Sequence, residues 1–337
     1  MMENLVKLTE VSLRDGSHSV SHQFTEEQVD SVVRALDEAG MHYIEVSHGD
    51  GLGGSTLQYG QSLVNEMKLI EAAVEAAKSS KIAVLLIPGI GTVHELKQAH
   101  ELGAKLVRVA THVTEADVSA QHIAKAREFG MEALGFLMMS HSAPVEKLVE
   151  QAKLMESYGA EAVYITDSAG ALLPEQVRER VHALRQSLTC EVGFHAHNNL
   201  SLAVANSLIA IEEGATRIDS SVCGLGAGAG NTQTEVLTAV LDLMGKNPGI
   251  DIYKMMDLAE NIVKPIMKRP QIVDKGSLAL GYSGVYSSFL IHSERAAKRF
   301  GLDSRDILME LGRRKAVGGQ EDMILDVASE LAKMKQS

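Results

Sequence analysis

Short runs of β-branched and large apolar residues alternate with longer amphipathic segments from the first ten residues to about residue 245. The runs Leu8–Leu13, Tyr43–Ser47, Ile82–Ile87, Leu106–Ala110, Glu132–Met138, Ala162–Thr166, Glu191–His195 and Arg217–Ser221 predict strands. The segments Thr25–Ala39, Leu63–Ser79, Thr92–Leu102, Val118–Phe129, Pro144–Tyr158, Pro174–Ser187 and Leu200–Glu213 predict helices, because their apolar residues recur at helical spacing. Gly40, Gly103, Gly130, Gly159 and Gly214 stand where left-handed caps end such helices. Thr25 followed by Glu27 and Gln28 reads as a capped helix start. Eight strand–helix units in succession imply a parallel sheet with right-handed crossovers. Eight is also the number that closes into a (β/α)8 TIM barrel of about 250 residues. An open doubly wound sheet is the alternative, but no dinucleotide glycine fingerprint follows the first strand.

Beyond residue 250 the rhythm changes. Ile252–Met267, Tyr286–Phe300, Ser304–Leu311 and Glu321–Lys335 predict helices with no strand between them, and Lys268-Arg-Pro270 is a natural break. The expectation is a barrel domain over residues 1–250 and a C-terminal helical appendage over 251–337, packed on the barrel.

In a barrel of this class the chemistry collects at the carboxyl ends of the strands. Strand starts here carry Lys7, Lys81 and Lys105; strand ends carry Arg14-Asp15-Gly-Ser-His18, Ser47-His48-Gly-Asp50, Thr111-His112, Ser140-His141, Asp167-Ser168 and His195-Ala-His197. Residues two apart on a strand share a face, so His195 and His197 enter one pocket. Two imidazoles and one carboxylate, for which Asp15 is the best candidate, suit a divalent ion with positions left open for substrate. A hydrogen-bonded histidine pair at a strand end is the plainer reading. No lysine stands at a strand end to form a Schiff base, so carbonyl chemistry here requires a metal Lewis acid.

Arg14 carries a fixed positive charge beside Asp15, able to hold a carboxylate or a developing enolate oxygen, or to pair within the mouth. His18 is placed to exchange protons near neutral pH, though a loop histidine is commonly just solvated. Ser168 either bonds a substrate oxygen or caps the next helix. The run Gly224-Leu-Gly-Ala-Gly-Ala-Gly-Asn231 lacks the Walker spacing and reads best as a tight turn that brings backbone toward the pocket, with Asn231 a further oxygen donor or a loop-positioning residue.

Composition narrows the classes. A formal charge of -12, no Trp and few aromatics argue against nucleic acid as a partner. A hydrophobic content of 45% with 6 Pro argues for a substantial core. Two cysteines, Cys190 and Cys223, fit a reduced cytoplasmic setting rather than a disulfide framework. The apolar stretch from Ile82 to Val93 is too short to span a bilayer, and no secretory signal is visible before Glu10.

Leu13-Arg-Asp-Gly16, His195-x-His197 and the glycine-rich 224–231 loop resemble the metal-dependent lyases and Claisen-type synthases that share an Arg-Asp barrel signature, among them 3-hydroxy-3-methylglutaryl-CoA lyase and isopropylmalate synthase. Arg14-Asp-Gly-Ser-His18 with His22-Gln23, His48-Gly-Asp-Gly-Leu-Gly-Gly54 and Leu280-Gly-Tyr-Ser-Gly-Val-Tyr-Ser-Ser-Phe-Leu290 look most like the 4-hydroxy-2-oxovalerate aldolase group. The resemblance implies a metal held by Asp15, His195 and His197, commonly Mn2+, with Mg2+ or Co2+ as substitutes. It implies a 4-hydroxy-2-oxo acid substrate met by Arg14, Asp15, Ser168, His195 and Tyr286. Arg14 is then the enolate stabiliser and His18 the base for the 4-hydroxyl proton. It further implies an oligomer and an acylating aldehyde dehydrogenase partner, docked on the C-terminal helices. Asn198 stands where several bacterial members have a third histidine, while the ligand positions are kept. The same ligand set also serves a Claisen-type acyltransferase acting on acyl-CoA and a 2-oxo acid, and a barrel that only binds a partner protein is the remaining alternative.

Overall fold

The computed structural model describes residues 6–336. Eight parallel strands close into a barrel in chain order: β1 Lys7–Glu10, β2 Tyr43–Glu45, β3 Lys81–Leu86, β4 Leu106–His112, β5 Glu132–Met138, β6 Ala162–Asp167, β7 Glu191–Ala196 and β8 Arg217–Ser220. β1 pairs with β8 through Lys7 to Arg217 and Glu10 to Ser220, which seals the cylinder. The helices that return each strand to the bottom are α1 Glu26–Glu38, α2 Glu66–Ala76, α3 Val93–Leu102, α4 Ala120–Glu128, α5 Val145–Ser157, α6 Pro174–Ser187, α7 Ala203–Glu212 and α8 Thr234–Leu243. The fold is thus the expected (β/α)8 barrel followed by C-terminal helices.

Local chemistry accounts for the elements. In α1 the apolar positions Val29, Val32, Val33 and Leu36 fall on one stripe and are all buried against the barrel. Each such side chain contributes about 1.5–3 kcal/mol relative to exposure. Thr25 opens the helix: its hydroxyl accepts the Gln28 N–H at 3.2 Å while the Gln28 side chain accepts the Thr25 N–H at 3.0 Å. Gly103 ends α3 at φ 115°, a conformation costly for a residue with a Cβ. The main core lies between strands and helices, and a second layer fills the cylinder with Tyr43, Leu85, Leu134, Phe136 and Tyr164.

Several expected boundaries move. β1 stops at Glu10, three residues early, because the chain turns at once: the Arg14 and Asp15 N–H groups both donate to the Val11 carbonyl, at 3.1 and 2.8 Å. The expected single helix over Ile252–Met267 is α9 Ile252–Leu258, a π turn over Ala259–Val263, and the one-turn α10 Lys264–Ile266. Pro265 offers no N–H to the ladder there. α8 completes the eighth expected unit, whereas α11 Lys275–Ser283 lay outside the expected segments. α11 is legible in retrospect from Asp274, whose carboxylate accepts from Gly276 and Ser277 N–H. Tyr286, taken as opening a helix, sits in the loop before α12 Phe289–Phe300. α13 Ser304–Arg313 and α14 Asp322–Gln336 complete the appendage, whose own core includes Leu280, Phe289, Ile307, Leu311 and Val327. α9 is seated on α1, where Asp251 N–H donates to the Ala39 carbonyl at 2.8 Å, and Met255, Leu258 and Val263 join the barrel core. Residues 1–5 and 337, the outer ends of the two expected units, lie outside the described residues.

Candidate metal centre

The carboxyl ends of β1, β7 and β8 meet at the mouth. β7 delivers His195, and His197 follows immediately past its end, where it bridges to Asn231 of the glycine-rich loop. The 3-10 turn Asp15–His18 begins with the carboxylate that faces them. Asp15 Oδ2 stands 3.5 Å from His195 Nε2 and 3.7 Å from His197 Nε2, and the two imidazole nitrogens are 3.5 Å apart. All three side chains are buried. A triangle of this size is what three ligands with bonds of ~2.0–2.2 Å span on one ion.

Protonation supports the fit. His195 Nδ1 lies 2.8 Å from Asp219 Oδ2, so Nδ1 carries the proton and Nε2 presents a lone pair. Nε2 faces the Asp15 carboxylate at 3.5 Å, a spacing that a metal ion between them fits. Burial alone would raise the Asp15 carboxyl, but the Arg14 guanidinium, first among its charged neighbours, holds it well below the usual carboxylate range. Burial pushes His197 down to about 4 against the pull of Asp15, leaving a neutral imidazole at neutral pH. Hard oxygen plus two imidazoles suits a divalent ion. The residues present therefore fit the group the barrel class implies.

Arg14 is locked beside this triangle. Its Nε donates to Glu45 at 2.7 Å and its Nη1 to Asp15 at 3.1 Å, while the buried Nη2 has no partner. An unpaired guanidinium N–H inside a pocket is costly unless a ligand oxygen accepts from it. A chain of buried charges runs on from Glu45 to Arg108, from Arg108 to Asp219, and from Asp219 to His195. Arg108 is fully buried, its guanidinium lying 4.5 Å from the Phe136 ring centroid. Thus one continuous network positions Arg14 and the first imidazole together.

The glycine-rich loop brings its backbone to the same place: Ala227 N–H donates to Asp15 Oδ1 at 3.1 Å. Gly228 has φ 65°, and a Cβ there would stand 2.5 Å from Asn199 Oδ1. Asn231 is buried with both side-chain polar atoms unpartnered. His18 is the last residue of the 3-10 turn that begins at Asp15 and contributes to the field at its carboxylate.

Ser168 caps no helix. Its hydroxyl accepts the Met139 N–H at 3.0 Å, and its carbonyl accepts from the Ser287 N–H and hydroxyl at 3.2 and 2.7 Å. Asn199 Nδ2 also donates to the Ser287 hydroxyl, at 2.9 Å. These bonds pin the loop carrying Tyr286 to the barrel. Tyr286 lies in the electrostatic reach of Arg14 and Asp15, and burial pushes its phenol above its ordinary value. The structure thus joins Arg14, Asp15, His195 and His197 directly, sets His18 and Tyr286 at their margin, and commits the Ser168 side chain to a backbone N–H. Glu45, Arg108 and Asp219 were missed in the sequence reading. For Glu45 and Arg108 the signal was a charge inside an otherwise apolar run, rare unless paired, whereas Asp219 lies in the largely polar strand Arg217–Ser220.

Two cavities open among the loops at this end of the barrel, with Asp50 and Tyr59 on the walls of both. One of about 270 Å3 is lined by Ile87, Pro88, Thr111, Met138, Tyr286 and Gly318. One of about 630 Å3 lies between the rim and the appendage, with His18, His22, Asp50, Ser288 and Arg295 on its walls.

A closed barrel with two imidazoles, a carboxylate and a guanidinium at its carboxyl mouth is the architecture of a metallolyase. The HMGL-like family model matches residues 5–262, and the model of the DmpG-like communication domain matches residues 271–333. A 4-hydroxy-2-oxovalerate aldolase of Bacillus thuringiensis (strain Al Hakam) is 77% identical over 99% of this chain and 98% of its own length. The protein of the same name from Geobacillus thermodenitrificans (strain NG80-2) is 69% identical over 99% of this chain and 97% of its own length. The chain belongs to the HMGL-like family, in the branch whose members carry that name. Among solved structures, the carboxyl transferase domain of Rhizobium etli pyruvate carboxylase with 3-hydroxypyruvate superposes with a TM-score of 0.85 at 17% identity, covering 99% of this chain and 61% of that chain, a likeness of fold.

Proposed function

We propose that the protein is a divalent-metal-dependent aldolase that cleaves 4-hydroxy-2-oxopentanoate-type acids to pyruvate and an aldehyde such as acetaldehyde. The observation that carries the reading is the buried triangle of Asp15, His195 and His197 with an unpaired Arg14 N–H beside it. A bound divalent ion, Mn2+ on this reading with Mg2+ or Co2+ as substitutes, supplies Lewis acidity toward the 2-oxo acid. Asp15, His195 and His197 hold it, and Asp219 keeps His195 in the ligating tautomer. Arg14 Nη2–H donates to the oxygen on which charge develops as the C3–C4 bond breaks, and Glu45 fixes the guanidinium for that task. His18 accepts the 4-hydroxyl proton. Tyr286 covers the substrate from the appendage side, and Ser168 contributes by holding that loop. The sequence similarity to proteins named as aldolases favours this reaction over Claisen-type acyl transfer.

The match to a communication domain supports a dehydrogenase partner that takes up the aldehyde, and the exposed apolar residues Ile272, Leu278 and Tyr282 offer it a contact face. An oligomer built with that partner is part of the same proposal. No helix among the described residues is long and apolar enough to cross a membrane. Two free cysteines, one of them buried, support a cytoplasmic setting.

The test is pyruvate release from 4-hydroxy-2-oxopentanoate. Chelation abolishes it and Mn2+ restores it. Activity that survives the chelator but is lost with borohydride plus substrate indicates a Schiff base and rejects the proposal.

A further inference from the structure

The mouth holds a second cluster of ligating side chains, of which the proposed reaction uses one member. Ring nitrogens of His18 and His22 and a carboxylate oxygen of Asp50 all lie within 4.8 Å of one another. They stand on the wall of the larger cavity. His22 and Asp50 are buried, and His18 is half-buried.

His22 is prepared as a ligand. Its ring hydrogen-bonds the Tyr59 backbone, while its buried Nδ1 has no partner. Its backbone is left-handed at φ 59°, uncommon for a residue with a side chain, and Gly60 leaves room for the ring where a Cβ would stand 2.9 Å away. The ring lies flat on His48, with centroids 3.8 Å apart. His48 itself is fully engaged: Nε2 meets the Gly60 carbonyl at 2.9 Å, and Nδ1 accepts the Asp50 N–H at 3.1 Å. His48 therefore acts as a backing for His22 and has no nitrogen left to coordinate.

We propose that His18, His22 and Asp50 form a second divalent-cation site, which takes a borderline ion such as Co2+, Ni2+ or Zn2+ when that ion is in excess over the first centre. Two imidazoles with one carboxylate suit such ions. The site is the weaker of the two. His18 is its least buried member, and the donors stand up to 4.8 Å apart. Among the described residues no carboxylate is hydrogen-bonded to either of its imidazoles as Asp219 is to His195. One consequence rests on the proposed role of His18: an ion bound here takes up the nitrogen that accepts the substrate proton, so excess metal inhibits.

Equilibrium dialysis of the full-length apoprotein against Co2+, with cobalt counted by elemental analysis, tests the site without reference to turnover. Wild type binds two equivalents, the second at least ~10-fold weaker. His22→Asn, which tolerates the left-handed backbone but has no imidazole, retains the tight equivalent and loses the weak one. Asp15→Asn does the reverse. Asp50→Ala repeats the His22→Asn result and decides the matter if that variant does not fold. A wild type that takes up a single equivalent to millimolar Co2+ overturns the proposal, as does a second equivalent retained by both His22→Asn and Asp50→Ala. In turnover assays the falling limb of rate against Co2+ moves at least ~10-fold higher in His22→Asn. The dialysis result stands even if the protein proves to cleave some other substrate.

Discussion

Two layers of charge fill the barrel, and they use the same residue types for different ends. Arg217 and Asp219 stand two apart on β8 and point into the same interior. At the amino end, Arg217 pairs with Glu132 and Glu191, the first residues of β5 and β7, and Lys7 reaches Glu191 at 2.8 Å. Glu191 is 32% exposed, so water shares in satisfying this layer. Two residues higher, Asp219 pairs with Arg108, whose guanidinium and carboxylate partners are sealed from solvent. The lower layer closes the bottom of the cylinder. The upper layer continues into Arg14 and His195, so its geometry is inherited by the site. A buried charge chain is weak evidence for stability. Its value here is the register it imposes on two functional side chains.

The largest effect comes from the proposed base, His18, which stands beside the site and outside both layers. His18→Ala keeps the metal, since the triangle is untouched, and lowers the cleavage rate by roughly 10²–10⁴-fold. Unchanged turnover at full metal content removes His18 from the reaction. Within the upper layer, Asp219→Asn disturbs the tautomer of His195, and the affinity for Mn2+ falls by about 10–100-fold in a metal-competition titration.

Glu10, on β1 but outside both layers, is a buried acid with no cationic partner among its hydrogen bonds, and it gives a contrast to their paired charges. Burial, with Glu235 adding to it, raises its carboxyl to about 7, against hydrogen bonds from Ser12 and Val222 that lower it. An acid raised in the folded state contributes stability that is fully present below its unfolded value and lost as pH rises through the folded one. The unfolding free energy of wild type relative to Glu10→Gln therefore falls between pH 4.5 and about 7 and is flat above. The drop is on the order of a few kcal/mol. A pH-independent difference in denaturant melts contradicts the assignment. Last, Arg217→Met breaks the lower layer. It lowers the melting temperature but leaves Mn2+ affinity where it was; a parallel loss of affinity shows that the two layers are coupled after all.

Much of this was legible in the chain. Eight strands were readable because each is a short apolar run between helical stripes, and the Glu132–Met138 strand falls at the expected bounds. His195 and His197 were readable because spacing along one strand end is local. Asp15 needed the closed barrel to reach them. Glu45, Arg108 and Asp219 come from three strands, and their meeting depends on register across the cylinder interior, which no local pattern encodes. Helix α11 was hidden by Gly276 and Gly281, which blur the apolar stripe. Tyr286 entered the site through resemblance alone, because its loop is held by Ser168 and Asn199, each far away in sequence.

The most direct test of the central claim is an anomalous difference map from crystals grown with one equivalent of Mn2+. The account predicts one dominant peak ~2.0–2.3 Å from Asp15 Oδ2, His195 Nε2 and His197 Nε2 together. A peak elsewhere, or active crystals with no peak inside that triangle, contradicts it.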